Sequence, residues 1–525
     1  MRYLIVRRAL ILLSALGVAA TGCDNSCEGV YRCPPVSATG GEAGSGSADP
    51  CPEDPAAGGV ENECGVWVSA SWGNDESGGT QEAPVATIAR AVTLAEGRTG
   101  RVYVCGELYQ EVVQLPGGVS LSGGFSCKGG VWSYDGEDRK ATIAPGFPAI
   151  ASMLLREGTG QSLITDLRVE AVNAVEPGAS SIAVMAFGGA EATFDRCTLV
   201  AGNGADGADG KNGGHSGAPA HPGLPGNPGD HACTANPGLG GLAVKLDCDG
   251  VVTSGGNGGD GGNGFASGGF PGLQPPDPNP EGYGAGGKAQ DAVQSTLCTP
   301  GIGGIQGNSG DHGAGGTDWG RLTVDGFIGA PGADGFPGTP GQGGGGGGGS
   351  IGSAICGAGA PGAPHGGAGG GSGGTGGCGG GAGKGGQGGG SSFGIAALEA
   401  RLTLHKIEFI LGNGGNGGNG GALQLGGQGG FPGLGGLGFG GVAGVTAGCH
   451  GGAGGQGGSG GNGGGGRGGH SFAHVSLSGY AILSPGPIEY TKFGTHGAGG
   501  KGGNANLEGT SGLVGFVGTG AILVP

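Results

Sequence analysis

Residues 191–202 read EATFDRCTLVAG and residues 401–412 read RLTLHKIEFILG, and the two stretches align without a gap. Upstream, Ser180-Ser181-Ile182 matches Ser391-Ser392-Phe393 once a single residue is skipped. A third copy starts at Ser471-Phe472, and its Ile488-Glu489-Tyr490 echoes Ile407-Glu408-Phe409. Every copy then runs into glycine, at Gly202-Asn203-Gly204, Gly412-Asn413-Gly414 and His496-Gly497-Ala498-Gly499-Gly500. A unit that recurs in this way cannot bury its apolar face alone and must stack on its neighbours. The repeat predicts one solenoid of short strands, interrupted at an equivalent corner by glycine-rich excursions over 202–390 and 412–469.

The same rhythm runs through the N-terminal part. Val102-Tyr103-Val104, Val112-Val113, Val119-Ser120-Leu121, Ala141-Thr142-Ile143, Ser162-Leu163-Ile164 and Leu167-Arg168-Val169 are short β-branched runs between glycine turns. Val66-Trp67-Val68-Ser69-Ala70 is strand-like as well. After Pro84, the spacing of Ile88, Val92 and Ala95 predicts one short helix ending at Gly97. Composition sets the outer limits. The 525 residues hold 148 Gly and 30 Pro, with 12% charged and 5% aromatic residues, too little large apolar side chain for one compact core. Glycine also disfavours helix, so a mainly helical fold is excluded.

A resemblance sharpens this reading. Trp67–Phe125 is similar to the entry of pectate-lyase-like right-handed parallel β-helix domains of bacterial surface lipoproteins. The matching residues are Gly73-Asn74-Asp75, Gly79-Thr80, Pro84 with Thr87-Ile88, Val102-Tyr103-Val104 with Gly106 and Tyr109, then Pro116-Gly117-Gly118-Val119-Ser120-Leu121 and Gly123-Gly124-Phe125. The resemblance implies an all-β fold, a right-handed parallel β-helix whose open end is capped by the short helix. It implies no activity, because that family is largely uncharacterised.

The N-terminus carries an export signal. Arg2, Arg7 and Arg8 precede an apolar run from Ala9 to Ala20 that is too short to span a bilayer. The run ends in Ala20-Thr21-Gly22-Cys23, which resembles the lipobox of bacterial lipoproteins, although the usual leucine is missing. The resemblance implies a leader over 1–22, a lipid anchor on Cys23 and a membrane as partner; ordinary cleavage after Ala20 is the other reading. The expected location is the extracytoplasmic cell envelope, at the outer membrane or cell surface, with Asp24 favouring inner-membrane retention under the enterobacterial sorting rule. The formal charge of −17 argues against a nucleic-acid partner.

Fourteen cysteines in an exported chain predict disulfides. Cys197 aligns with the inward Ile407 and reads as a buried free thiol. Sequence order proposes Cys27–Cys33 and Cys51–Cys64 in a Cys/Gly/Pro/Ser-rich tether over 23–65, then Cys105–Cys127 and Cys233–Cys248. Cys298, Cys356, Cys378 and Cys449 remain with undetermined pairing. The rest divides into a first solenoid part (66–201), a coil at 391–411 and C-terminal coils at 470–525.

For the glycine stretches, collagen fails: the best Gly-X-Y run, Gly326 to Gly341, ends in poly-glycine. Gly414-Gly415-Asn416-Gly417-Gly418-Asn419-Gly420-Gly421 has two glycines in every three residues, which leaves two of three faces of an extended helix without Cβ. Such tracts resemble the polyglycine II bundles of glycine-rich antifreeze proteins and phage tail-fibre tips, and the glycine-rich half of PE-PGRS proteins. An ordered bundle and a disordered chain both stay open on composition.

Candidate chemistry is sparse. Gly-x-Ser-x-Gly matches at Ser372 and Ser459 lie in poly-glycine, without the strand–turn–helix setting of a nucleophile. Gly255-Gly256-Asn257-Gly258-Gly259-Asp260 grazes a calcium-binding repeat but has no tandem copy, so no metal or other cofactor is expected. Asp166, Arg168 and Glu170 alternate on one expected strand face, with Asp195 one coil away; such a face could serve a polysaccharide lyase or hydrolase, but reads better as a solvated surface. The expected function is a non-enzymatic, structural or adhesive surface protein. Carbohydrate binding or degradation, and binding of ice or a crystalline surface, are the alternatives, with surface polysaccharide or envelope proteins as further partners.

Overall fold

The computed structural model describes residues 51–214, 219–273, 279–357, 364–440, 444–477, 482–485 and 487–502, together with the strands Val514–Gly515 and Ile522–Leu523. Most strands fall into three parallel sheets. The first orders Val66–Val68, Arg101–Cys105, Ser120–Ser126, Ser162–Thr165, Glu191–Asp195, Arg401–His405 and Ile482–Leu483. The second contains Leu108–Tyr109, Ala141–Ile143, Leu167–Glu170, Thr198–Ala201, Ile407–Leu411 and Ile488–Lys492. The third contains Val113–Pro116, Met153–Arg156, Ser181–Phe187, Ser392–Leu398, Ser471–Leu477 and Val514–Gly515.

The internal repeat is a strand register. Glu191 pairs with Arg401 and Asp195 with His405; Ser181 and Ser471 flank Ser392; Ile407 pairs with Ile488. Residues of all three sheets meet in one buried cluster that includes Val104, Ile143, Val184, Phe194, Leu199, Ile395, Leu404 and Phe409. The helix Ile88–Glu96 buries Ile88, Ala91, Val92 and Ala95 in the same cluster. Thr87 caps it by accepting the Arg90 N–H, and the Glu111 carboxylate accepts the Ile88 and Ala89 N–H groups at 2.8 and 3.0 Å. The Cys51–Cys64 disulfide lies outside this cluster, beside Trp67, Tyr103 and Phe125.

The expected β-helix is corrected by this arrangement. The described strands form three separate parallel sheets with small antiparallel pairs, and they do not close into a solenoid. The physical reason is that a sequence repeat records which strands lie side by side, because paired strands bury the same face. It does not record how a turn closes. Among the described residues between Ala201 and Ser392 the chain leaves these sheets, and the strands there are the antiparallel pairs Lys245–Cys248 with Val251–Ser254 and Arg321–Thr323 with Gly326–Ile328.

The glycine stretches are ordered by backbone hydrogen bonds of period three. Gly204, Gly207, Gly210 and Gly213 donate to the carbonyls of Asn413, Asn416, Asn419 and Ala422 at 2.7–2.8 Å. Gly415, Gly418 and Gly421 donate to Gly390, Gln387 and Lys384, so segment 384–390 runs antiparallel to 415–421. This pairing satisfies the backbone without any sheet. The seven consecutive glycines Gly343–Gly349 show why composition is so extreme. All are buried, and an added Cβ would strike a backbone oxygen at each: Ser254, Asn257 and Asp260 on one face, Gly452 and Cys449 on another, Ala285 and Lys288 on a third, all within 2.3 Å. A segment enclosed on three faces has no direction in which a side chain fits.

Candidate contact surface

Segments at the rim of the bundle keep one face free, and there every third residue carries a side chain. Along 413–437 the exposed residues are Asn413, Asn416, Asn419, Ala422, Leu425, Gln428, Phe431, Leu434 and Leu437. Three residues of extended chain advance about 9 Å, so this is a row of evenly spaced groups. Its first half is cross-linked by side chains. Asn413, Asn416, Asn419 and Ala422 donate their N–H groups to the side-chain oxygens of Asn203, Asp206, Asp209 and Asn212 at 2.6–2.8 Å. Thr495, Ala498 and Lys501 donate in turn to Asn413, Asn416 and Asn419 at 2.8–2.9 Å.

The second half changes chemistry. Ala220, Gly223, Gly226 and Gly229 still donate to Leu425, Gln428, Phe431 and Leu434, but the residues preceding these donors are Pro219, Pro222, Pro225 and Pro228. Proline offers no side-chain acceptor, and all four are exposed. The result is a ridge in which Phe431 is 78% exposed, Leu434 63% and Leu437 64%, beside a row of prolines. Phe265, Phe270, Phe336 and Leu242 are further exposed apolar groups on the glycine-rich segments.

The residues singled out for polysaccharide chemistry do not form one face. Arg168 and Glu170 lie half-exposed on the strand Leu167–Glu170 and pair with each other. Asp166 is not part of that strand. It is a left-handed corner (φ 52°) between the first and second sheets, a place taken by Arg196 (φ 55°) and Lys406 (φ 46°) in the neighbouring strands. The corner turns its carboxylate inward, where it is fully buried. Arg196 holds it in a bidentate pair at 2.9 and 3.0 Å and also reaches Asp54 at 2.8 and 3.0 Å and Asp195 at 2.5 Å; Tyr134 Oη donates to Asp166 at 2.7 Å. Burial and the Asp166 bond push the Tyr134 phenol upward. The cluster clasps Asp54 to the sheets, and sequence alternation missed Arg196 as its centre.

The structure joins Cys51 to Cys64 and Cys105 to Cys127. The Cys233–Cys248 pairing is corrected: Cys233 joins Cys356, Cys248 joins Cys378 and Cys298 joins Cys449. Sequence proximity misleads because the hairpin 245–254 carries Cys248 away to the central segment 364–390. Cys197 is a buried free thiol in the main cluster, and desolvation pushes it up to about 12. Cys23, Cys27 and Cys33 lie outside the described residues.

Five disulfides are compatible with an extracytoplasmic location. Among the described residues no helix is long and apolar enough to cross a membrane. No family model, curated protein or solved structure matches the chain.

Proposed function

We propose that the protein is a non-enzymatic contact protein of the cell envelope, lipid-anchored at Cys23, that presents the outer rows of its glycine bundle to a partner surface. The observation that carries this reading is the row 413–437. Its side chains are held at fixed intervals by a backbone most of whose glycine N–H groups are paired, and its apolar half is exposed. Large exposed apolar groups on a rigid frame cost solubility and are retained where contact needs them. The clasped Asp166 supports the same reading, since a buried, doubly bonded carboxylate is poorly placed for acid–base work on a polysaccharide.

Two measurements test this. Cys23→Ala should move the protein from the membrane fraction to the soluble one, and unchanged detergent-phase partitioning would refute the anchor. Phe431→Ser with Leu434→Ser should weaken adhesion of whole cells or retention on envelope polysaccharide without lowering stability. Release of reducing ends or unsaturated products from acidic polysaccharides by the purified chain would overturn the non-enzymatic reading.

A further inference from the structure

The rows of the bundle are joined by a recurring two-bond unit. Gly204 N–H donates to the Asn413 carbonyl at 2.8 Å, and Asn413 N–H returns to Asn203 Oδ1 at 2.7 Å. The same unit links Asp206 with Asn416, Asp209 with Asn419, and Asn413 with Thr495. In all of these the side-chain acceptor belongs to Asn or Asp. At two other places it is a histidine. Ala232 N–H donates to the Leu437 carbonyl at 2.9 Å while Leu437 N–H donates to His231 Nδ1 at 2.9 Å. Gly313 N–H donates to the Asn462 carbonyl at 2.8 Å while Asn462 N–H donates to His312 Nδ1 at 2.9 Å. A third histidine, His450, accepts the Gly435 N–H through Nδ1 at 3.1 Å.

An imidazole nitrogen accepts only while it carries no proton. These bonds therefore place the proton of each neutral ring on Nε2, and charging the ring turns Nδ1 into a donor facing another donor. An asparagine acceptor does not titrate, and histidine is the side chain whose charge ordinarily changes between about pH 5 and 8. His231 and His450 both bind the same stretch, Gly435–Leu437, which is the end of the exposed apolar row. On the segments hydrogen-bonded to His231 the titratable neighbours are Asp230, which accepts Leu239 N–H, and His365. His312 has Asp311 beside it, with Arg467 and the Asp334–Lys384 pair on the segments against it. Segments 299–302, 345–348, 371–374 and 433–436, which pack around His450, carry no titratable residue.

We propose that His231, His312 and His450 are protonation-sensitive pins of the glycine bundle, and that acidification loosens the Leu434–Leu437 end of the apolar row while the Asn- and Asp-pinned rows stay closed. The proposal does not depend on what the row contacts. It is tested by amide hydrogen exchange of the full chain, expressed as protection relative to the intrinsic rate at each pH. Between about pH 8 and about pH 5 the Leu437, Gly435 and Asn462 amides should lose at least about tenfold in protection, while Asn413, Asn416 and Asn419 keep theirs. His231→Asn with His312→Asn replaces each Nδ1 by an amide oxygen in the place Asn203 uses, and should keep Leu437 and Asn462 protected at both pH values. His231→Ala should expose Leu437 at both. Equal protection of the wild type at the two pH values, an equal loss at Asn413–Asn419, or a loss at Leu437 or Asn462 that survives the Asn replacements would overturn the proposal.

Discussion

Gly346→Ala isolates the role of the missing side chains. An added Cβ would sit 1.8 Å from the Asn257 carbonyl oxygen, 2.4 Å from its carbon and 2.8 Å from Gly258 N. All three are backbone atoms, so no rotamer change relieves the clash, and segment 256–259 would have to retreat by more than about 1 Å. That segment is tied down by Gly256 N–H to Gly344 at 2.9 Å, Gly259 N–H to Gly347 at 2.8 Å and Phe270 N–H to Asn257 at 2.9 Å. Losing two such bonds costs about 1 kcal/mol each, and a buried donor left unpaired adds about 1–3 kcal/mol. Alanine in place of glycine lowers the entropy of the unfolded chain, worth about 0.4–1 kcal/mol in the other direction. The expected net loss is about 3 kcal/mol. Gly78→Ala is the control, because nothing lies within 4 Å of its Cβ position and its φ is not left-handed, leaving only the small stabilising effect. Urea unfolding of the full chain with disulfides intact, followed by peptide-band circular dichroism, should move the two midpoints in opposite directions. Coincident midpoints would refute the claim that backbone-to-backbone approach selects glycine here.

Arg196→Met keeps the aliphatic stem but leaves the fully buried Asp166 carboxylate with only Tyr134 as a side-chain partner, so stability should fall by about 3–5 kcal/mol. Arg168→Ala, which breaks the more exposed pair with Glu170, should cost less than about 1 kcal/mol in the same urea experiment. His470 is buried, donates its Nε2–H to the Trp319 carbonyl at 2.9 Å and stacks on Phe472; desolvation lowers it to about 4. The unfolded chain therefore takes up this proton first. Stability is complete above about pH 6.5 and declines as pH falls toward about 4, by at most about 3 kcal/mol. His470→Gln should flatten that slope, measured by urea unfolding across pH, although His474, also lowered by burial, retains part of it.

Legibility followed from what sequence can encode. The pairing of 191–202 with 401–412 was readable because strands in register must bury the same positions, and Cys197 could be placed beside Ile407 on that ground. Asp166 could not be placed by alternation, since one left-handed residue at the corner ends the period-two pattern and turns the side chain inward. The period of three along 413–437 is visible in the string, yet which face stays exposed depends on neighbours at 203–232 and 384–390, distant in sequence. Only Gly343–Gly349 declares its own burial, because a run with no Cβ on any face fits an interior segment.

The distribution of cross-links follows from the same physics. The three sheets share an apolar cluster, and the disulfides outside it at the N-terminal end of the first sheet span only 13 and 22 residues. The glycine bundle buries little apolar side chain, its own small cluster being Ala232, Ala368 and Val445 beside Cys233 and Cys356. Its glycines also lose the most conformational freedom on folding. Hydrogen bonds alone contribute modestly because the unfolded backbone is paired with water. A disulfide acts on the unfolded chain instead, and more strongly for longer loops, about 4.7 kcal/mol at 100 residues against about 3 kcal/mol at 15. The disulfides of the bundle span 123, 130 and 151 residues. The longest loops are thus closed where the hydrophobic effect contributes least, which is where restricting the unfolded chain matters most to the stability of the bundle.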